Sequence, residues 1–258
     1  MGRGVDQRFL IIATLLAAIG GVGGMLSLRH HHRSRWTFPL MAGAFLAQLG
    51  FLSLRGQARE ACPLVGTGEI LVFLAWSLTL FYLVVGPTYR LSLLGVFSAP
   101  VVVLFQAVAL IPGMLDADPQ PVEATDAWRE THSAMSVLGY GALALAAVAG
   151  MMFLVLDRQL KDQHLTSGLF KNLPPVRELL TSMQRLLWIG MGMLTIGVVA
   201  GFAMPRTGGT AHLIAAVVVW LAYLALLVVK QSRGMTGKRF SLAVVLLFVV
   251  SLSVFAFV

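Results

Sequence analysis

The sequence predicts an all-α fold, a polytopic membrane bundle of about eight transmembrane helices forming one domain over residues 1–258. Three observations predict it. Hydrophobic residues make up 58% of the chain and charged residues 12%, with a mean hydropathy of +0.84. A water-soluble domain is nearer half apolar and a quarter charged, so this chain has too little polar surface to coat a soluble globule. Eight segments are also long and apolar enough to cross about 30 Å of hydrocarbon, which takes roughly 20 residues of helix. Finally, the basic residues gather in alternate loops, as the positive-inside rule requires.

The first span, 9–28, follows Arg3 and Arg8. It is longer than the apolar region of a signal peptide and lacks a clear small-residue cleavage site before the next basic stretch, so it reads as a membrane helix. Its Gly20-Gly21-Val22-Gly23-Gly24 run lets helix backbones approach closely and is no nucleotide-binding loop. A basic turn leads to the second span, 37–54, which ends at Arg55 and Arg59. The third, 68–86, starts at Glu69, where a carboxylate faces the headgroups and favours the helix N-terminus. The fourth, 91–112, contains Pro100, which predicts a kink. An acidic loop, 113–131, precedes the fifth span, 132–156.

The loop 157–182 is stopped by Pro174-Pro175. From Val176 a short amphipathic helix is predicted on the inner membrane surface, with Val176, Leu179, Leu180 and Met183 on one face. Its expected role is positional, with partner docking as the alternative. The last spans are 183–204, 211–229 and 240–258.

Twelve Lys and Arg lie in one set of loops: Arg29, Arg33, Arg35, Arg90, Arg158, Lys161, Lys171, Arg177, Lys230, Arg233, Lys238 and Arg239. Arg185 lies on the same side. The opposite side holds six: Arg3, Arg8, Arg55, Arg59, Arg129 and Arg206. The richer side is expected in the cytoplasm, with both termini and the loop 113–131 outside it. The net charge of +8 is thereby accounted for without a nucleic-acid partner; the lipid bilayer is the partner the composition calls for.

One cysteine, Cys62, excludes an internal disulfide, a CxxC redox centre and covalent CxxCH haem attachment. No HExxH, GxSxG elbow or paired carboxylate within a span is present, and no enzymatic activity is expected. Intramembrane charges and Pro-broken repeat helices, the usual marks of a transporter, are also missing. A small-molecule transporter is therefore the third reading of function.

The histidines divide by position. His30, His31 and His32 sit in a basic turn, where three adjacent side chains cannot all face one ion, and His164 lies in a polar loop. His132 opens the fifth span and His212 the seventh, at the same membrane face. Two imidazoles at one depth can ligate a metal, haem iron included; the alternative for each is an interfacial polar residue capped by water. Trp128, four residues before His132, either stacks on a flat ligand or anchors the helix at the interface.

The ordered series Trp128-Arg-Glu-Thr-His132-Ser133, Tyr140, Leu156-Asp157-Arg158-Gln159-Leu160-Lys161, Leu173-Pro174-Pro175, Ile196-Gly197-Val198-Val199-Ala200-Gly201, Trp220-Leu-Ala-Tyr223 and Gly234-Met-Thr-Gly237-Lys-Arg239 resembles the cytochrome c assembly protein family. Within that family the pattern is most similar to the compact eight-span HemX-like branch, related to CcsA. The resemblance covers most of the chain. It implies haem handling in a bacterial inner (plasma) membrane, with haem, apocytochrome c and other assembly components as partners, and His132 at the family's first outer histidine.

The departures are specific. The family's tryptophan-rich outer segment is missing, since only Pro205-Arg-Thr-Gly-Gly-Thr210 joins the sixth and seventh spans. Gln48 and Lys230 stand where the family has transmembrane histidine ligands; Gln is a poor haem ligand, and Lys230 is expected to snorkel to the cytoplasmic surface. The leading expectation is an accessory cytochrome c assembly protein with haem contact near His132, involving Trp128 and His212. The alternative is a non-catalytic membrane regulator or scaffold linked to tetrapyrrole synthesis through the loops, residues 157–182 above all.

Overall fold

The computed structural model describes residues 4–29, 35–88, 93–122, 126–161, 176–204 and 211–253. Eight helices run through them: α1 (Val5–Arg29), α2 (Thr37–Arg59), α3 (Thr67–Thr88), α4 (Leu94–Ala109), α5 (Ala127–Lys161), α6 (Val176–Ala203), α7 (Ala211–Arg233) and α8 (Gly237–Ser251). No strand occurs among the described residues. Backbone groups in lipid must be satisfied internally, and a helix does so within one segment, without a partner strand. Six helices are long and apolar enough to cross a membrane. The other two, α4 and α8, have 16 and 15 described residues. The chain is a multi-pass membrane helix bundle.

α1–α4 pack mainly among themselves, and α6 and α8 pack on α5. Substantial packing between the two groups runs through α5, which meets α3 and α4. Its middle, Gly139–Gly150, is buried throughout, and the small residues there let neighbours approach on every side. Among apolar helices in lipid the hydrophobic effect adds little, so such close van der Waals contact supplies the cohesion.

Glycines mark the approaches. A Cβ on Gly21 would lie 2.9 Å from Ala99 Cβ, and one on Gly24 2.6 Å from Val96 Cγ2, so the α1 glycine run seats α4. α4 continues through Pro100, which faces outward. Gly234, with φ +64, turns the chain between α7 and α8 in a conformation that favours glycine.

Two expectations are corrected. Among the described residues no separate surface helix precedes the sixth span: α6 is continuous from Val176 to Ala203. Leu179 and Met183 are fully buried, so the amphipathic face packs into the bundle instead of lying on lipid headgroups. A Cβ on Gly150 would sit 3.4 Å from Met183 Sδ, which places that turn against α5. The prolines that precede it, the His30–His32 run and His164 lie outside the described residues.

Glu69 does not face headgroups. It is 1% exposed, because two guanidiniums from α2 close over it. Arg55 and Arg59, one turn apart on one helix face, both reach Glu69 Oε1, Arg55 at 3.5 Å and Arg59 at 3.1 Å.

Candidate functional site

One end of the bundle collects most of its buried polar chemistry. Arg55, 2% exposed, pairs through Nε with Asp6 of α1 at 2.7 Å and donates from a terminal nitrogen to the Asp116 carbonyl at 2.8 Å. Arg59 also pairs with the Asp116 carboxylate. Its carbonyl accepts from Val122 N at 2.9 Å, and Val65 N donates to Glu69 Oε2 at 3.3 Å. This network ties α1, α2, α3 and the segment after α4 together. Each charge in it has an opposite charge or a backbone group to meet, as burial demands.

Cys62 extends the network toward α5: its N–H donates to Glu130 Oε1 at 3.4 Å. Burial, followed by the nearby Glu130 and Glu69 carboxylates, pushes its thiol up to about 11.

Two residues beyond Glu130 stands His132, 4% exposed. Its Nδ1 lies 2.7 Å from the Gly197 carbonyl oxygen of α6. A carbonyl only accepts, so Nδ1 carries the proton and the imidazole lone pair is on Nε2. That is the second-sphere arrangement that orients a metal-ligating histidine. The approach is possible because α6 presents glycines. A Cβ on Gly201 would come within 2.7 Å of both His132 Nδ1 and Leu213 Cδ2, and one on Gly197 within 2.5 Å of Ser136 Oγ. α5, α6 and the start of α7 therefore converge at His132.

Of the other expected site residues, Trp128 is half exposed, one turn before His132, with its N–H donated to Asp126 Oδ1 at 3.4 Å. His212 precedes Leu213 at the α7 start, so the fold brings its backbone to the His132 region; its side chain lies outside the described residues. Gln48 is fully buried in α2. Lys230 closes the α7–α8 turn, donating to the Met235 carbonyl at 2.7 Å with its ammonium 5.1 Å from the Phe240 ring centroid.

His132 is thus a buried imidazole in contact with the backbone of α6. Among the described residues no group of three or more His, Cys, Asp and Glu side chains could hold a metal ion.

Sequence reasoning missed the Arg55–Arg59–Glu69 network and the buried Gln106. The signal for the first was present: two arginines four apart ending an apolar helix, facing Asp6, Glu69 and Asp116 on the same side.

Fold and site together define a polytopic membrane protein with an oriented, buried histidine where α5 and α6 meet at the network end. Its sequence places it more closely. Residues 64–258 match the cytochrome C assembly protein family model, and the chain belongs to that family. It is similar to proteins named cytochrome c biogenesis protein CcsA. The protein from Gloeobacter violaceus is 23% identical, over 77% of this chain and 75% of the relative. That from Synechococcus sp. is 27% identical over 80% and 77%, and that from Porphyra purpurea 26% identical over 84% and 85%.

Proposed function

We propose that this protein serves cytochrome c assembly by handling haem in a bacterial inner membrane, as an accessory component that contacts the haem through His132. The observation that supports this reading is the His132–Gly197 contact, which commits Nδ1 to the backbone and so makes Nε2 the ring nitrogen through which a haem contact would be made. Haem is cargo in this reading. His132 binds it, the Gly197 carbonyl orients the ring, and Trp128, half exposed on the same helix, offers a flat face beside it. The basic-loop distribution supports an orientation with His132 at the outer face, where an apocytochrome c is the acceptor and other assembly components are neighbours.

The test is spectroscopic. The purified full-length chain, mixed with haem, should give a Soret band that shifts on reduction, and His132→Ala should lose it. An unchanged band in the variant, or no band in the wild type, overturns the reading. Gln48 favours a second one. The position that the family resemblance assigns to an intramembrane ligand holds an amide, which suits a regulator or scaffold linked to tetrapyrrole synthesis. That reading requires a cytoplasmic partner in pull-downs that depends on residues 157–182.

A further inference from the structure

Beneath the charged network, α1–α4 enclose a second polar layer. Gln48 of α2 and Gln106 of α4 are both fully buried, and all four of their amide atoms lack a hydrogen-bond partner. The Nε1 atom of Trp76 in α3 is also buried without one. The helix registers place the two amides near one level. α1 and α4 run antiparallel, with Gly24 against Val96 and Gly21 against Ala99, which sets Gln106 opposite Thr14. α1 and α2 run antiparallel with Gly20 against Leu40 and Gly50 against Phe9, which sets Gln48 opposite the turn Leu10–Ile12. At about 1.5 Å of rise per residue the two amides differ in height by about one turn or less. Trp76 stacks on Phe45, one turn from Gln48, with ring centroids 5.4 Å apart.

Both glutamines face the centre of the four helices. Gln48 shares a stripe with Arg55, seven residues on, which reaches α1, α3 and the segment after α4. Gln106 shares one with Ala99, which meets α1. Between this layer and the charged network lies an apolar cluster of Leu10, Phe51, Leu52, Val72 and Ala109.

An amide buried without a partner is destabilising where a hydrogen-bonded one is not, and five such atoms within one four-helix group call for an occupant. None of the three side chains is ionisable, and the apolar cluster separates them from the charges. A charged ligand would therefore find no counter-charge here. Two amide nitrogens and an indole N–H supply more donor hydrogens than the two carbonyls have oxygens to match, so the occupant must bring acceptor oxygens. We infer that Gln48, Gln106 and Trp76 form an uncharged binding site within the bundle, filled by the oxygen atoms of water or of a neutral membrane-soluble molecule. A buried water needs two to four polar partners, and this layer supplies them. The site is separate from His132 and does not depend on haem binding.

The test compares the wild-type full-length chain with Gln48→Leu/Gln106→Leu, both in lipid nanodiscs. X-ray hydroxyl-radical labelling reports bound water through oxidation of adjacent side chains, with Trp128 as the exposed reference. Solvent extraction followed by mass spectrometry reports a neutral organic molecule carried by the protein. Trp76 labelled in the wild type and at least fivefold less in the variant supports the site with water as its occupant. A neutral molecule recovered at near one per chain from the wild type, and absent from the variant, supports it with an organic occupant. Neither signal, with both proteins melting cooperatively, overturns it. If the double leucine variant does not fold, Gln48→Met/Gln106→Met, closer in shape, takes its place in the same comparison.

Discussion

The Nδ1 atom of His132 and the carbonyl oxygen of Gly197 lie 2.7 Å apart, and this one contact sets both the orientation and the tautomer of the ring. It exists only because α6 carries no side chain at Gly197 and Gly201, so the backbone of one helix serves as the hydrogen-bond partner of the next. A methyl group at Gly201 would sit 2.7 Å from the same nitrogen. Under the haem contact proposed for His132, Gly201→Ala is therefore expected to weaken or shift the Soret band of the protein mixed with haem while leaving the imidazole in place. Gly192→Ala, on the same helix with nothing within 4 Å of its added Cβ, should leave the band unchanged. The comparison is read from absorption spectra at equal haem and protein concentration.

Arg55 is the buried centre of an ion network that includes Asp6 and Glu69. Truncating one member of a buried pair leaves the others uncompensated and costs about 3–5 kcal/mol. Arg55→Met is expected to lower the melting midpoint in detergent markedly, and Arg55→Met/Glu69→Gln to recover part of the loss. Lys161→Ala, which breaks an exposed pair with Asp157, should change stability by about 0.5 kcal/mol or less. Thermal melts of the wild type, Arg55→Met, Glu69→Gln, their double and Lys161→Ala decide it; a fully additive double variant would show that the network carries no coupling.

Helix packing on α5 is tight enough to test by overpacking. A Cβ on Gly141 would run into the side chain and backbone of Ser77 on α3. Gly141→Val is expected to cost about 1–3 kcal/mol, seen as a lower melting midpoint or as faster proteolysis at fixed temperature. Gly23→Ala, in open space, serves as the neutral control.

Cys62 gives a pH-dependent readout. Its thiol titrates at about 11, raised from 9.0 by burial and then by Glu130 and Glu69, and only the thiolate reacts with maleimide. A raised pKa means the protonated form persists to higher pH in the folded chain than in the unfolded one. Labelling of folded protein at pH 9 should then be about fiftyfold slower than in denaturant, where half the thiol is ionised. The rate should keep rising as the pH approaches 11. Glu130→Gln should bring the rise to lower pH.

Much of this was legible in the sequence. Length and apolarity alone pointed to a helical membrane bundle, since a span must hold its backbone bonds within itself. His132 stood out because an imidazole at the start of a span is chemically conspicuous. What stayed hidden depends on partners distant in sequence. Glu69 read as a headgroup-facing carboxylate because nothing local reveals that Arg55 and Arg59 fold over it. Gln106 read as an ordinary member of an apolar run, since its burial opposite α1 follows from glycine contacts between helices. The start of α6 read as a surface helix because an amphipathic face fits a bilayer surface as well as it fits a bundle; only the burial of Leu179 and Met183 separates the two.

The long alanine- and glycine-lined α5 has a further consequence. It carries His132 at one end and is the main mechanical link between α1–α4 and the helices that follow. A rotation or slide of either group against the other must therefore be taken up along this one rod. Movement among the first four helices would reach the imidazole as a change in the pitch or roll of its own helix, with no separate relay of side chains needed to carry it.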